Sequence, residues 1–201
     1  MHAALSFKEC FSLYSASFII RALVMLLLIQ PNEYYKQADS IDYHNCALTI
    51  ALGNGMFNYV LKEPIFWRTP GYPPYLATFY NYFGVKSPKF SDNKQAQLAA
   101  LWMQITLSST IPIILYALAI TLTATPFIAS CLAWFFVIHP GMVLSRTYLL
   151  TEAIALIFFY FFLLFFFRII LGTQRPWYNA LWAALNLSIY TWIRPMGEFI
   201  A

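Results

Sequence analysis

"FSLYSASFIIRALVMLLLI", residues 11–29, decides the fold class. The run carries one charge, Arg21. As a helix rising about 1.5 Å per residue it is long enough to cross a hydrocarbon core of roughly 30 Å. A secretory signal would be shorter and would end in small residues, whereas this run ends in Gln30-Pro31-Asn32-Glu33. It therefore reads as a retained first span.

The composition agrees. Of 201 residues 61% are hydrophobic and only 10% charged, with aromatics at 19% and a mean hydropathy of +0.63. An ordinary soluble domain has about a quarter of its residues charged, so the chain reads as an integral membrane protein. Cys10, Cys46 and Cys131 lack the close spacing of a metal site, and an odd number rules out a fully paired framework. They read as small buried hydrophobes. The net charge of +4 is spread over single, loop-borne basic residues, which excludes a nucleic-acid partner and favours membrane lipid head groups or phosphates. No GxxxxGK[ST] loop, GxSxG elbow or HExxH pair is present, so ATPase, hydrolase and zincin readings have no support.

Residues 31–95 hold most of the Pro-Gly punctuation and 11 of the 20 charged residues, and so form one long loop outside the hydrocarbon. Four further apolar runs follow, at about 98–120, 124–138, 149–171 and 178–193. The expected fold is therefore all-α and polytopic, with about five transmembrane helices, the third and fifth of them short. Arg168 and Arg175 lie between the last two runs and, with Lys8, mark the cytoplasmic side. That puts the long loop, the segment 139–146 and the terminal Arg194-Pro195-Met196-Gly197-Glu198 on the opposite, external side.

Two amphipathic helices are expected in the loop, lying on the membrane surface. In the first, 39–52, Ile41, Leu48 and Leu52 share one side while Asp39 and Tyr43 are neighbours on another, and Gly53-Asn54-Gly55 stops it. The second, 73–83, has Pro at its first turn, Leu76, Phe79, Tyr80 and Phe83 as its apolar stripe, and Gly84 as its stop.

The residues able to carry chemistry each have two readings. Asp39, near the interface, is either the first-turn acid of its helix or a base taking a proton from an incoming hydroxyl or amine. Asp42 and His44 suit a divalent metal by type, yet two residues apart they share no helix face, so a metal would need ligands from elsewhere. Arg68, between aromatics and a Pro-Gly turn in "FWRTPGYPPYLA", is suited to gripping a phosphate, or to snorkelling to lipid head groups. Arg146 precedes "TYLLTE" and Glu152 closes it. An acid at a membrane boundary is costly unless paired or useful, so Glu152 is a functional candidate or a helix N-terminal acid. His139 before Pro140 reads as a helix-end residue.

Taken in order, "ADSIDYHNCALTIALGNGMF", "FWRTPGYPPYLATFYNYFG", "VIHPGMVLSRTYLLTEAIALIFFYF" and "IRPMGE" resemble the N-terminal half of GT-C membrane glycosyltransferases, in particular the bacterial branch of the protein O-mannosyltransferase and aminoarabinose transferase superfamily. The resemblance implies transfer of a sugar from a polyprenyl-phosphate-linked donor at the external face, in bacteria that of the inner membrane, to an acceptor that is a lipid, a glycan or a protein. It implies Asp39 as general base on the acceptor. Asp42, Tyr43, Arg68, Tyr72, Arg146 and Glu152 would then line the substrate site, with Arg68 on the donor phosphate. A divalent metal stays open from the residue types alone, Asp42 and His44 being its weak candidate ligands, and no cofactor is certain. The second acid found next to the catalytic one in eukaryotic mannosyltransferases is replaced by Ser40. The resemblance spans essentially the whole chain, 1–201, as a single transmembrane region, while such enzymes commonly have about twice as many spans. A sugar transferase is therefore expected alongside two alternatives: a lipid-linked-sugar binding or transport module, and a non-catalytic or split subunit whose missing spans come from a second polypeptide. Transporters place polar groups near the bilayer midplane, whereas Asp39, Asp42, Arg68 and Glu152 fall at one interface.

Overall fold

The structure, a computed structural model, describes residues 6–28, 38–58, 63–64, 68–85, 89–123, 125–145, 147–172 and 175–194. The fold is all-α. The helices are α1 (Phe7–Leu28), α2 (Ala38–Ala51), α3 (Tyr72–Phe83), α4 (Lys94–Ser108), α5 (Ile111–Thr123), α6 (Pro126–Ile138), α7 (Pro140–Leu144), α8 (Glu152–Ile170) and α9 (Pro176–Ile193). Among the described residues the strands are β1 (Phe57–Asn58) and β2 (Glu63–Pro64), an antiparallel pair two residues long.

Local chemistry accounts for many of these boundaries. At the start of α1, Ser6 and Glu9 form a reciprocal capping box: the Glu9 carboxylate accepts from the Ser6 amide at 2.8 Å, and the Ser6 hydroxyl accepts from the Glu9 amide at 3.3 Å. Helix α3 opens with Pro73 and Pro74, whose missing N–H groups belong to the unpaired first turn, and stops at Gly84, which takes φ 73°. Both ends fall within a residue or so of the expectation from sequence, and α2 likewise stops just before Gly53.

Among the described residues three helices are long and apolar enough to cross a membrane: residues 7–27, 91–123 and 152–170. The middle one is α4 and α5 run together, interrupted at Ser109, whose hydroxyl donates to the Ile105 carbonyl at 2.7 Å, and Pro112, which cannot donate to the ladder. The five spans expected from the apolar runs are thus three by this measure. Helix α6 has 13 residues, about 20 Å at the helical rise against a core of roughly 30 Å. Helix α9 has 18 residues, but its buried stripe includes the polar Asn179 and Asn186, which lower its hydropathy.

Helices α8 and α9 pack as an antiparallel pair, α5 lies between α6 and α8, and α1 leans on α4, α5 and α6. Arg21, the one charge of the opening run, is fully buried. Its Nη1 donates to the Ser17 carbonyl at 2.9 Å and bonds the Ser17 hydroxyl, and its guanidinium lies 5.8 Å from the Phe136 ring centre on α6. A cation so placed is enclosed by protein rather than by lipid, which is how a span tolerates it.

Helices α2 and α3 pack on each other and α3 packs on α4, forming a cap layer. One hydrophobic core joins this layer to the bundle: Tyr43 and Ala47 of α2, Leu76 and Tyr80 of α3, Leu101 and Ile105 of α4, Met25 of α1, Ile154 of α8, and Tyr190 and Ile193 of α9. Here the structure departs from the expected surface helices. Residues Tyr43 to Thr49 of α2 are all buried, so every face of that helix is covered, while Ile41 and Leu52, two of the three residues expected to face inward, are 36% and 50% exposed. Only Leu48 keeps its expected burial.

Candidate functional site

The antiparallel course of α8 and α9 brings the start of one and the end of the other together, and residues 68–71 dock onto that end. The Gly71 amide donates to the Trp192 carbonyl at 2.8 Å, and the Thr69 hydroxyl donates to the Ile193 carbonyl at 2.6 Å. The Gly71 contact requires a residue without a side chain, because a Cβ there would sit 2.7 Å from the Trp192 carbonyl oxygen. Two further ties fix the cap above α8: the Ser40 hydroxyl donates to the Leu149 carbonyl at 3.1 Å, and Gln104 accepts from the Tyr72 hydroxyl at 2.9 Å while donating to the Tyr148 carbonyl at 2.7 Å.

These ties gather most of the charged residues singled out from sequence. Arg68 bridges both aspartates of α2: its Nη2 lies 2.7 Å from Asp39 Oδ1 and 2.7 Å from Asp42 Oδ2, and its Nε donates to Asp42 Oδ2 at 3.3 Å. The guanidinium also lies over the Tyr43 ring, 5.3 Å from its centre. Burial works against the charge on Arg68, but the bonds to Asp42 and Asp39 outweigh it and hold the guanidinium above its ordinary pKa. It stays a cation.

On the other side of Tyr43, Glu152 pairs with Arg194 at 3.1 Å. The Tyr43 hydroxyl shares a hydrogen bond with the Thr151 side chain, and the Thr151 hydroxyl in turn lies 3.4 Å from Glu152. Burial raises the Tyr43 phenol, opposed by the bond to Thr151 and by the charge of Arg68, so it is a neutral hydrogen-bonding group at ordinary pH. Asp39, Asp42, Arg68, Glu152 and Arg194 thus form three ion pairs, two of them sharing Arg68, with Tyr43 and Thr151 between the Arg68 and Arg194 groups. Three carboxylates face two guanidinium groups, a formal excess of one negative charge.

The remaining expectations fall elsewhere. Tyr72 is completely buried, with its ring edge-on to Tyr43 at 5.0 Å, so it supports the site from within rather than lining it. Arg146 lies outside the described residues. His44 does not join Asp42: two positions along a helix set it about 200° round the axis, and its Nδ1 lies 2.6 Å from the Tyr80 hydroxyl in the buried α2–α3 interface. No three His, Cys, Asp or Glu side chains come together as a metal set among the described residues. Arg194, expected only on the external side, and Thr151 were not among the site residues expected from sequence. The cost of an unpaired acid at Glu152 was the available signal that a partner existed, and it did not say which residue.

Beneath the docked loop, between α3, α4, α8 and α9, is a cavity of about 500 Å³ lined by Gly71, Tyr75, Ile154, Phe158, Ile189 and Trp192 among others. Its wall is almost wholly apolar, and includes Gly71 of the loop that carries Arg68 together with Trp192 and Ile193, the end of α9 on which that loop docks. A charged cluster beside an apolar cavity suits a ligand with a polar head and a hydrocarbon tail. Comparison with known protein families, curated proteins and solved structures finds no match to this chain.

Proposed function

We propose that the chain is a membrane glycosyltransferase that moves a sugar from a polyprenyl-phosphate-linked donor to an acceptor at the external membrane face, in bacteria that of the inner membrane, with Asp39 as general base. The observation that carries the reading is the gathering of Asp39, Arg68 and Glu152 around Tyr43, next to an apolar cavity. Asp39 is the most exposed of the three carboxylates, at 55%, so an acceptor hydroxyl or amine can reach it. Arg68 would hold the donor phosphate and the cavity would take the first part of the lipid. The acceptor oxygen or nitrogen attacks the anomeric carbon as its proton passes to Asp39, and the bond to the lipid phosphate breaks with its electron pair leaving on the phosphate. That leaving group is already good, so alignment plus one base supplies the chemistry. Helices α6 and α9 would complete a five-span arrangement by tilting with their neighbours or thinning the local bilayer.

The test is transfer of radiolabel from polyprenyl-phosphate sugars in membranes holding this chain, beside Asp39→Asn at matched expression. Transfer that drops at least about a hundredfold in the variant, the scale of a lost general base, is expected. Transfer that survives the substitution removes Asp39 from the chemistry. Absence of transfer from both refutes the enzyme reading for this chain and favours a subunit that needs a second polypeptide, which would then co-purify.

A further inference from the structure

We propose that the two aspartates divide the work on Arg68: Asp42 is a positioning residue that keeps the guanidinium over Tyr43, and Asp39 is a latch that an incoming phosphate ester displaces. The inference rests on the transferase reading of the same site and adds an order of events to it.

The contacts of the two acids are unequal. Asp42 Oδ2 accepts from two nitrogens of Arg68, Nε and Nη2, and its side chain is 32% exposed. Asp39 accepts from Nη2 alone and is 55% exposed. A single exposed contact of this kind contributes little, so giving it up costs little. The shape of the guanidinium then decides which acid yields. Its contacts with the aspartates lie on Nε and Nη2, and Nη1 has no partner among the described residues. A phosphate gripped by two parallel N–H groups takes the end of the fork, Nη1 with Nη2. It therefore competes with Asp39 for Nη2 and leaves the Nε bond to Asp42 in place.

Charge points the same way. Phosphate arriving at a cluster that already has an excess of carboxylate is repelled unless one acid turns away. Asp39, held by one exposed contact, is the one free to do so. Glu152 and Arg194, the other charged groups around Tyr43, stay paired with each other. Once it turns away from Arg68, Asp39 has both carboxylate oxygens free to take the acceptor's proton. Donor binding would thus convert a neutralised carboxylate into a competent base at the moment a base is needed, and keep it idle before then.

The test is calorimetric titration of the full chain in lipid nanodiscs with farnesyl phosphate, with inorganic phosphate and farnesol in parallel. Removing the competitor and removing the anchor should have opposite effects: Asp39→Asn should bind farnesyl phosphate about three- to tenfold more tightly, and Asp42→Asn more weakly by a similar factor. Farnesol should show neither effect. Binding by farnesyl phosphate at concentrations where inorganic phosphate is silent identifies a lipid-borne anion, and equal binding of both identifies phosphate alone; each outcome supports the latch. Tightening by both variants would reduce the effect to total charge and overturn the proposal, as would weaker or unchanged binding in Asp39→Asn, or no binding of either phosphate to the wild type. Sugar transfer with no such effects would sink the latch and leave the enzyme reading standing, whereas the effects without transfer would do the reverse.

Discussion

Replacing Gly71 by alanine is the sharpest test of how the site is held. Gly71 has φ −80° and ψ −40°, a conformation alanine adopts readily, at the N-terminal boundary of α3. On backbone grounds alone the change should stabilise by about 0.4–1 kcal/mol, because alanine has less freedom to lose on folding. The surroundings reverse that sign. The new methyl would lie 2.7 Å from the Trp192 oxygen, 2.8 Å from its carbonyl carbon and 2.9 Å from the Ile193 Cα, all backbone atoms that cannot rotate away. The loop and the end of α9 must separate, lengthening the Gly71–Trp192 and Thr69–Ile193 bonds, each worth about 0.5–1.5 kcal/mol. Overpacking elsewhere costs about 1–3 kcal/mol, so the net expectation is a loss of about 1–3 kcal/mol. Because Arg68 and Arg194 flank this junction, substrate binding should weaken as well. The assay is reversible unfolding in mixed micelles, with Thr69→Val as a companion expected to lose about 1 kcal/mol. A Gly71→Ala chain as stable as the wild type, or more so, would refute the close approach on which the site's geometry depends.

The other predictions concern single contacts. In a double-mutant cycle of Glu152→Gln with Arg194→Met, the coupling energy should be no more than about 1 kcal/mol, because both partners are roughly a third exposed; a coupling above about twice that would mean a site far drier than described. Cys46 is buried and its thiol is pushed up to about 11, first by burial and then by the nearby charge of Asp42. A raised thiol pKa means the unreactive protonated form persists across neutral and mildly alkaline pH and the thiolate gains only as pH approaches that value. Maleimide labelling followed by mass spectrometry at pH 8 should therefore spare Cys46 in the folded chain and modify it after denaturation, and labelling of Cys46 in the folded chain would contradict the packing of α2.

What could be read along the chain was whatever its neighbours in sequence decide. The limits of α2 and α3 are set by proline at a first turn and by glycines that take positive φ, and those signals lie inside a few residues. The apolar run of α8 is equally local. The interruption between α4 and α5 was missed, because Ser109 and Thr110 within an apolar stretch look like ordinary span residues until their hydroxyls bond back to the preceding turn. The burial of α2 was missed for a different reason: Asn45 and Thr49 have the polarity of a wet face, yet the backbone of Gly55 and Phe57 folds back onto Thr49 and α3, more than twenty residues later in the chain, packs along the helix. At the site, the acids and Arg68 stood out by type. Their pairing did not, since the bond between Glu152 and Arg194 spans a whole helical hairpin and no spacing rule reaches that far.

The core that joins α2 and α3 to Met25, Ile154, Tyr190 and Ile193 has a consequence for how such a protein can change over evolutionary time. A reactive segment mounted on its own core can be exchanged between scaffolds as a cassette, keeping its chemistry while the support is replaced. Here the segment bearing Asp39 and Arg68 shares its interior with α1, α8 and α9, so transplanting it alone would carry away half of an interface. New specificity is accessible mainly through substitutions at the exposed rim, around Asp39, and very little through shuffling of parts.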